Sequence, residues 1–114
     1  MRAPLPYAVN PLPFLVKVIA VTGASRGLGL AVSKYLLIRG ATVSMCATSA
    51  ENLSKASKEI DDELPDAKTR YWTSAVDIAD LDGVRSWIQE TVVRFGRLDG
   101  AANIAGKHHH TVVF

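Results

Sequence analysis

Between residues 22 and 29 the chain reads Thr-Gly-Ala-Ser-Arg-Gly-Leu-Gly, and this stretch carries its most distinctive chemistry. Glycines at 23, 27 and 29 permit a tight strand-to-helix turn and let backbone approach a ligand where a Cβ would collide. A helix opening there aims unpaired N–H groups and the positive end of its dipole at the same space, which suits a phosphate or pyrophosphate. A dinucleotide is the expected occupant, with Gly23, Ser25, Arg26, Gly27, Leu28 and Gly29 around it. Glycines in this number can also do no more than shape a turn. What separates the two roles is whether the loop follows a buried strand and opens a helix.

Other chemistry-bearing residues are fewer. His108, His109 and His110 are adjacent, so they cannot all face one point in a strand or helix, and no acid or cysteine pair nearby completes a metal set. They read as a loop, and no metal site is expected. Cys46 is the only cysteine. It excludes an internal disulfide and reads as a small buried hydrophobe in a reducing, cytoplasmic setting.

The elements that must position the loop follow from apolar periodicity. Residues 16–22 form a β-branched apolar run that suits a central strand covered on both faces. Residues 27–39 recur at helical spacing through Leu28, Val32, Tyr35 and Leu36, which places Tyr35 on the core face, and Gly40 ends the helix. Thr42–Ala47 is β-prone. Ser49 offers an N-cap to a helix whose Leu53, Ala56, Ile60 and Leu64 share a face and which Pro65 stops. A third strand spans residues 71–76. A third helix begins at Asp80, presents Val84, Ile88, Thr91, Val92 and Phe95 inward, and ends at Gly96. Residues 98–104 supply a fourth strand. The order β-α-β-α-β-α-β predicts an α/β fold, a Rossmann-like doubly wound parallel sheet with helices on both faces.

The glycine spacing is Gly-x-x-x-Gly-x-Gly, which differs from the commoner Gly-x-Gly-x-x-Gly. Together with Asp77-Ile78 after the third strand and Asn103-Ile104-Ala105-Gly106 after the fourth, it resembles the motif set of the short-chain dehydrogenases/reductases (SDR), in family order over residues 16–106. The resemblance implies an NAD(P)-dependent oxidoreductase that moves a hydride between a nicotinamide and a carbonyl or alcohol. It assigns the loop to the pyrophosphate and adenosine ribose, Asp77 and the Ile78 N–H to the adenine, and Asn103, Ala105 and Gly106 to the nicotinamide-ribose side. Ile104 departs from the family's second Asn at that position. Asp77 also has an ordinary role open to it as an N-terminal charge for the helix near Asp80, and Asn103 one as a loop residue bonding its own backbone.

Preference between the two cofactor forms is commonly set where the second strand ends, at about Ala47, where an acid would repel a 2′-phosphate. No acid stands there, and Arg26 is close in the expected geometry, so NADP is favoured; Glu51 could restore a preference for NAD.

The family's Tyr-x-x-x-Lys pair, which serves as general acid/base, is missing. Tyr35 is followed four residues later by Arg39 and Tyr71 by Ala75. The chain therefore reads as a truncated, cofactor-binding portion, with residues 1–15 as a proline-rich arm and 16–114 as a partial dinucleotide-binding domain. Without further strands the fourth strand would be an exposed edge for another chain to cover. The alternative is a non-catalytic product that binds a dinucleotide or only a partner.

Composition bounds these readings. The 114 residues are 48% hydrophobic and 21% charged, which suits one folded domain and excludes a disordered chain. Thirteen basic residues against eleven acidic give +2 without a basic cluster, so nucleic acid is not an expected partner. Prolines at 4, 6, 11 and 13 break the apolar leader, so a membrane span is not expected either.

Overall fold

The computed structural model describes Leu12, residues 14–104 and the backbone of Thr111–Val113. The strands are β1 (Val18–Thr22), β2 (Thr42–Ala47), β3 (Tyr71–Ala75), β4 (Gly100–Asn103) and β5 (Thr111–Val113), and the helices are α1 (Gly27–Ile38), α2 (Ala50–Glu63) and α3 (Leu81–Phe95). The sheet order is β3-β2-β1-β4-β5. The first four strands pair in parallel, as the alternating pattern predicts. Their loop-bearing carboxyl ends therefore lie along one margin of the sheet, where ligands of doubly wound folds sit.

β1 begins two residues later than its apolar run suggests. Val16 lies at φ 61, a left-handed conformation that strand backbone cannot continue and a β-branched residue rarely adopts. The extended run starts past it, where the Asp99 carboxylate accepts the Val18 N–H at 2.8 Å.

Side-chain alternation divides the core. Ile19, Val21, Val43, Met45 and Ala102 meet Leu36 and Leu37 of α1 and Ile60 of α2 in one apolar cluster. Ala20 and Cys46 point the other way, against Trp87 of α3. On that second face Ser44 and Thr91 form a buried pair at 2.7 Å, and the Thr91 hydroxyl donates to the Trp87 carbonyl at 2.8 Å. Thr91 has one hydroxyl proton, so Ser44 is the donor to it.

Helix phase departs from expectation twice. α1 buries Gly29, Ser33, Leu36 and Leu37, whereas Tyr35, expected in the core, is 51% exposed and lies beneath the Arg39 guanidinium. Apolar residues occur nearly all round α1, so periodicity does not fix its phase. The tight approach of Gly29 to the loop does. In α3, Trp87 and Thr91 are buried while Val92 is 42% exposed. The bulk of the indole rotates the buried stripe toward itself. α2 keeps the expected face of Leu53, Ala56 and Ile60.

The exposed-edge expectation for β4 is also corrected. β5 runs antiparallel beside it, Asn103 opposite Thr111 and Ala101 opposite Val113, so the outer edge of the sheet passes from β4 to β5. The β-branched Thr111-Val112-Val113 suits that pairing.

Candidate functional site

The glycine loop leaves β1 through Thr22 and enters α1 at Gly27. Its two left-handed glycines, Gly23 at φ 60 and Gly27 at φ 56, make the reversal possible. Gly29 is required for a different reason. A Cβ there would lie 1.8 Å from the Gly23 carbonyl oxygen, so only glycine lets the first turn of α1 press against the loop. Space in front of Gly27 is open: nothing would stand within 4 Å of a Cβ placed on it.

Four strand ends are stitched together around this loop. The Ala24 N–H donates to the Cys46 carbonyl of β2 at 3.0 Å, and the Val76 N–H donates to the Ala47 carbonyl at 2.9 Å. Thr22 stands opposite Asn103, and its hydroxyl donates to Asn103 Oδ1 at 2.8 Å while accepting the Ile104 N–H at 2.9 Å. Thr22 thus fixes the ends of β1 and β4 relative to each other. Sequence reasoning placed Thr22 in the motif without giving it this bridging work, although a hydroxyl at the end of a central strand was a usable signal.

The start of α1 differs from the other helix starts. Ser49 accepts the Asn52 N–H at 3.1 Å and Asp80 the Gly83 N–H at 3.2 Å, so α2 and α3 are capped by their own side chains. Arg26, the cap of α1, contributes no side-chain bond, and the first turn of α1 holds no acid. Its leading N–H groups and dipole face outward, beside the exposed Arg26, Gly27 and Leu28. Such an end accepts an anion, and the residues fit the pyrophosphate of a dinucleotide.

Asp77 and Ile78 follow β3 at the same margin, both exposed. Asp80, and not Asp77, caps α3. One Asp77 oxygen, Oδ1, accepts the Ala79 N–H at 2.9 Å, which orients the carboxylate in a short turn. The Asn103 Oδ1 takes the Thr22 hydroxyl. Ala105, Gly106 and His108–His110 lie outside the described residues, and among the described residues no cluster of three or more His, Cys, Asp or Glu could hold a metal ion.

Between the first two turns of α1 and the middle of α2 lies a cleft of about 500 Å³ lined by Ser25, Arg26, Gly27, Lys34, Lys55 and Glu59 among others. A second cleft, of about 570 Å³, lies between α2 and β3; Asp61 and Asp62 line it, a wall unsuited to phosphate. Neither tyrosine in the described region is placed as an acid/base. Tyr35 stacks with Arg39 on the surface. The Tyr71 hydroxyl is held 2.7 Å from Asp61 Oδ1, and burial together with that carboxylate pushes its pKa up, away from neutral pH. Cys46 is wholly buried, which pushes its thiol up to about 12 and leaves it inert. No helix among the described residues is long and apolar enough to cross a membrane.

Comparison with known proteins matches this architecture. The short-chain dehydrogenase/reductase aba4 of Botryotinia fuckeliana (strain B05.10) is 37% identical over 94 residues, which are 82% of this chain and 35% of the relative. Levodione reductase of Leifsonia aquatica is 34% identical over 93 residues, again 82% of this chain and 34% of that protein. Among solved structures, the C-domain of a bacterial malonyl-CoA reductase, crystallised with NADP, superposes with a TM-score of 0.79 at 33% identity, covering 86% of this chain and 16% of that one. The chain thus spans about a third of the length of the curated relatives it matches. The family profile described as short chain dehydrogenase matches residues 17–113, nearly the whole sequence, and the chain belongs to that family.

Proposed function

We propose that this chain binds a nicotinamide dinucleotide along the carboxyl margin of its sheet and forms the cofactor-binding portion of a hydride-transferring oxidoreductase. The observation that carries this reading is the uncapped, acid-free start of α1, set against a loop that only glycine at 29 allows. Gly23, Ser25, Arg26, Gly27, Leu28 and Gly29 hold the pyrophosphate and adjoining ribose. Asp77 accepts from the adenine amino group and the Ile78 N–H donates to the ring, while Asn103, Ala105 and Gly106 flank the nicotinamide ribose. The bound dinucleotide supplies the hydride; these residues position it.

NADP is the favoured form. Among the described residues no acid lies within ion-pair distance of Arg26, and the end of β2 carries Ala47 and Thr48 where an acid would discriminate against a 2′-phosphate. Because the 114 residues contain no Tyr-x-x-x-Lys, the activity proposed for this chain by itself is binding without turnover, in a reducing, cytoplasmic setting that suits its single thiol. Calorimetric titration of the purified chain with NADPH and NADH tests the reading. Saturable binding, tighter for NADPH, is expected; a folded chain that binds neither overturns it.

A further inference from the structure

On the side opposite β5 the sheet ends at β3, and among the described residues no strand pairs with its outer edge. Parallel pairing turns the backbone groups of alternate β3 residues toward β2. The Arg70 carbonyl accepts the Val43 N–H at 2.8 Å, and the Val76 N–H donates to the Ala47 carbonyl at 2.9 Å. By that alternation Arg70, Trp72, Ser74 and Val76 face β2, and the N–H and C=O groups of Tyr71, Thr73 and Ala75 point outward. The strand matches β2 residue for residue, without a bulge. Exposed edges are commonly blunted by proline, charge, a bulge or a covering segment. Tyr71-Trp72-Thr73-Ser74-Ala75 carries neither proline nor charge.

The same strand is complementary to itself. Turned about a two-fold axis through Thr73 and normal to the sheet, a second copy lies antiparallel to the first. Tyr71 then stands opposite Ala75 of the copy, Trp72 opposite Ser74, and Thr73 opposite Thr73. Each large side chain meets a small one, and the outward groups of Tyr71, Thr73 and Ala75 all fall where an antiparallel pair exchanges both bonds. A shift of two residues either sets Trp72 against Trp72 of the copy or carries Tyr71 past the end of the opposing strand.

The surroundings of the edge agree with that symmetry. The Tyr71 hydroxyl lies 2.7 Å from Asp61 Oδ1, whereas Ala50 and Leu53 share a cleft wall with Thr73 and Ala75. α2 therefore runs from beside the end of β3 toward its start, and its acids Asp61 and Asp62 lie at the later end. The two-fold axis carries those acids toward the start of α2 in the copy, the positive end of its dipole, where Glu51 is already paired with Lys55. On the α3 face a cleft of about 400 Å³, lined by Trp72, Ser74, Ser86, Trp87 and Glu90 among others, leaves room for Trp72 of the copy.

We infer that the chain self-associates through β3, two copies joining edge to edge about a two-fold axis at Thr73 to form one continuous sheet. Such a contact is the same patch on both copies, and its main-chain bonds supply the affinity while the side chains fix the register. The loop-bearing margin of each copy stays open.

Sedimentation equilibrium and light scattering on the full chain test this, with circular dichroism to show that each variant is folded. Wild-type chain is expected to dimerise at tens of micromolar. Thr73→Pro removes an outward donor and no bond to β2, and should raise the dimer dissociation constant about tenfold or more. Thr73→Cys sets two thiols across the axis, with Cα atoms about 5.5 Å apart, and a short bis-maleimide should couple them into a covalent dimer. Wild type, whose single cysteine is the buried Cys46, should stay uncoupled. Should Thr73→Pro lose its helices, the cross-linking of Thr73→Cys decides alone. A monomeric wild type overturns the inference. A dimer that a folded Thr73→Pro leaves intact, or that Thr73→Cys fails to cross-link, overturns it too, because the contact then lies on another surface such as the β5 edge.

Discussion

The two faces of the sheet are built on different terms. Beneath α1 and α2 the contacts are apolar and closed: Ile19, Val21, Val43 and Met45 against Leu36, Leu37 and Ile60. Beneath α3 the buried set is Ala20, Cys46 and Trp87, joined by the Ser44–Thr91 pair. The Trp87 indole nitrogen is buried there without an acceptor among the described residues. One face is held by area removed from water. The other relies on a few polar contacts whose value depends on every partner being present. The glycine loop belongs to the first face, because Gly29 and Ser33 of α1 are among its buried residues and the Ser33 hydroxyl donates back to the Gly29 carbonyl at 2.9 Å. The ligand margin is thus anchored to the better-packed half.

Substitutions can break or sharpen that contrast. The largest effect is expected from Gly29→Ala, whose Cβ would meet backbone, not a side chain that can swing away. A loss of about 3 kcal/mol or more, with dinucleotide binding abolished, would appear in urea titration and calorimetry; normal binding would show that the loop does not need its close approach. Next comes Leu36→Ala on the first face, expected to cost about 2–5 kcal/mol in the same urea titration. Trp87→Phe on the second face forms its counterpart. It gives up some packing but also removes the orphaned donor, and should change stability by less than about 1.5 kcal/mol. Equal costs at the two sites would erase the distinction drawn between the faces.

An effect below that of Leu36→Ala is expected from Thr91→Val. The Ser44 hydroxyl loses its acceptor while remaining buried, at a cost of about 1–3 kcal/mol, and adding Ser44→Ala should recover most of it. A double variant as unstable as the single one would show that the pair contributes by shape alone. The smallest effect concerns Asp99, which ties the β4 end of the sheet to the start of β1. Its carboxyl is held below the usual aspartate range, first by the Arg97 guanidinium and then by the Val18 N–H. A depressed folded-state pKa means the folded state favours the carboxylate. The contribution is full above the unfolded value of about 3.9, and is lost as pH falls through the lower folded value. Asp99→Asn should lower stability slightly at neutral pH, where the carboxylate's contribution is full, and so flatten the acid limb of a stability profile below about pH 4.

Much of this was legible in the residues. β2, the Ser49 cap, the buried face of α2 and the Gly96 stop each rest on a local signal that nothing distant competes with. Gly96, for example, ends α3 at φ 80, as a left-handed stop should. The phase of α1 was not legible, because Leu28, Leu30, Val32, Leu36, Leu37 and Ile38 surround the helix and two small residues decide which side meets the sheet. Trp87 escaped because a stripe counted by aliphatic residues passes beside it. β5 lies only three residues long after a polar run, and its pairing depends on β4 and not on its own pattern. In the candidate site the glycine positions were readable from spacing, whereas the Thr22–Asn103 bridge joins residues 81 apart in the chain, which no local window spans.

The bond from the Ala24 N–H to the Cys46 carbonyl has one more consequence. It fastens the middle of the loop to a strand buried on both sides, so the loop cannot open without loosening the sheet. Its ordering entropy is met during folding, and an incoming ligand has little left to organise. In amide hydrogen exchange Ala24 should be protected as slowly opening core is, while the leading amides of α1, three residues on, exchange freely until a phosphate covers them.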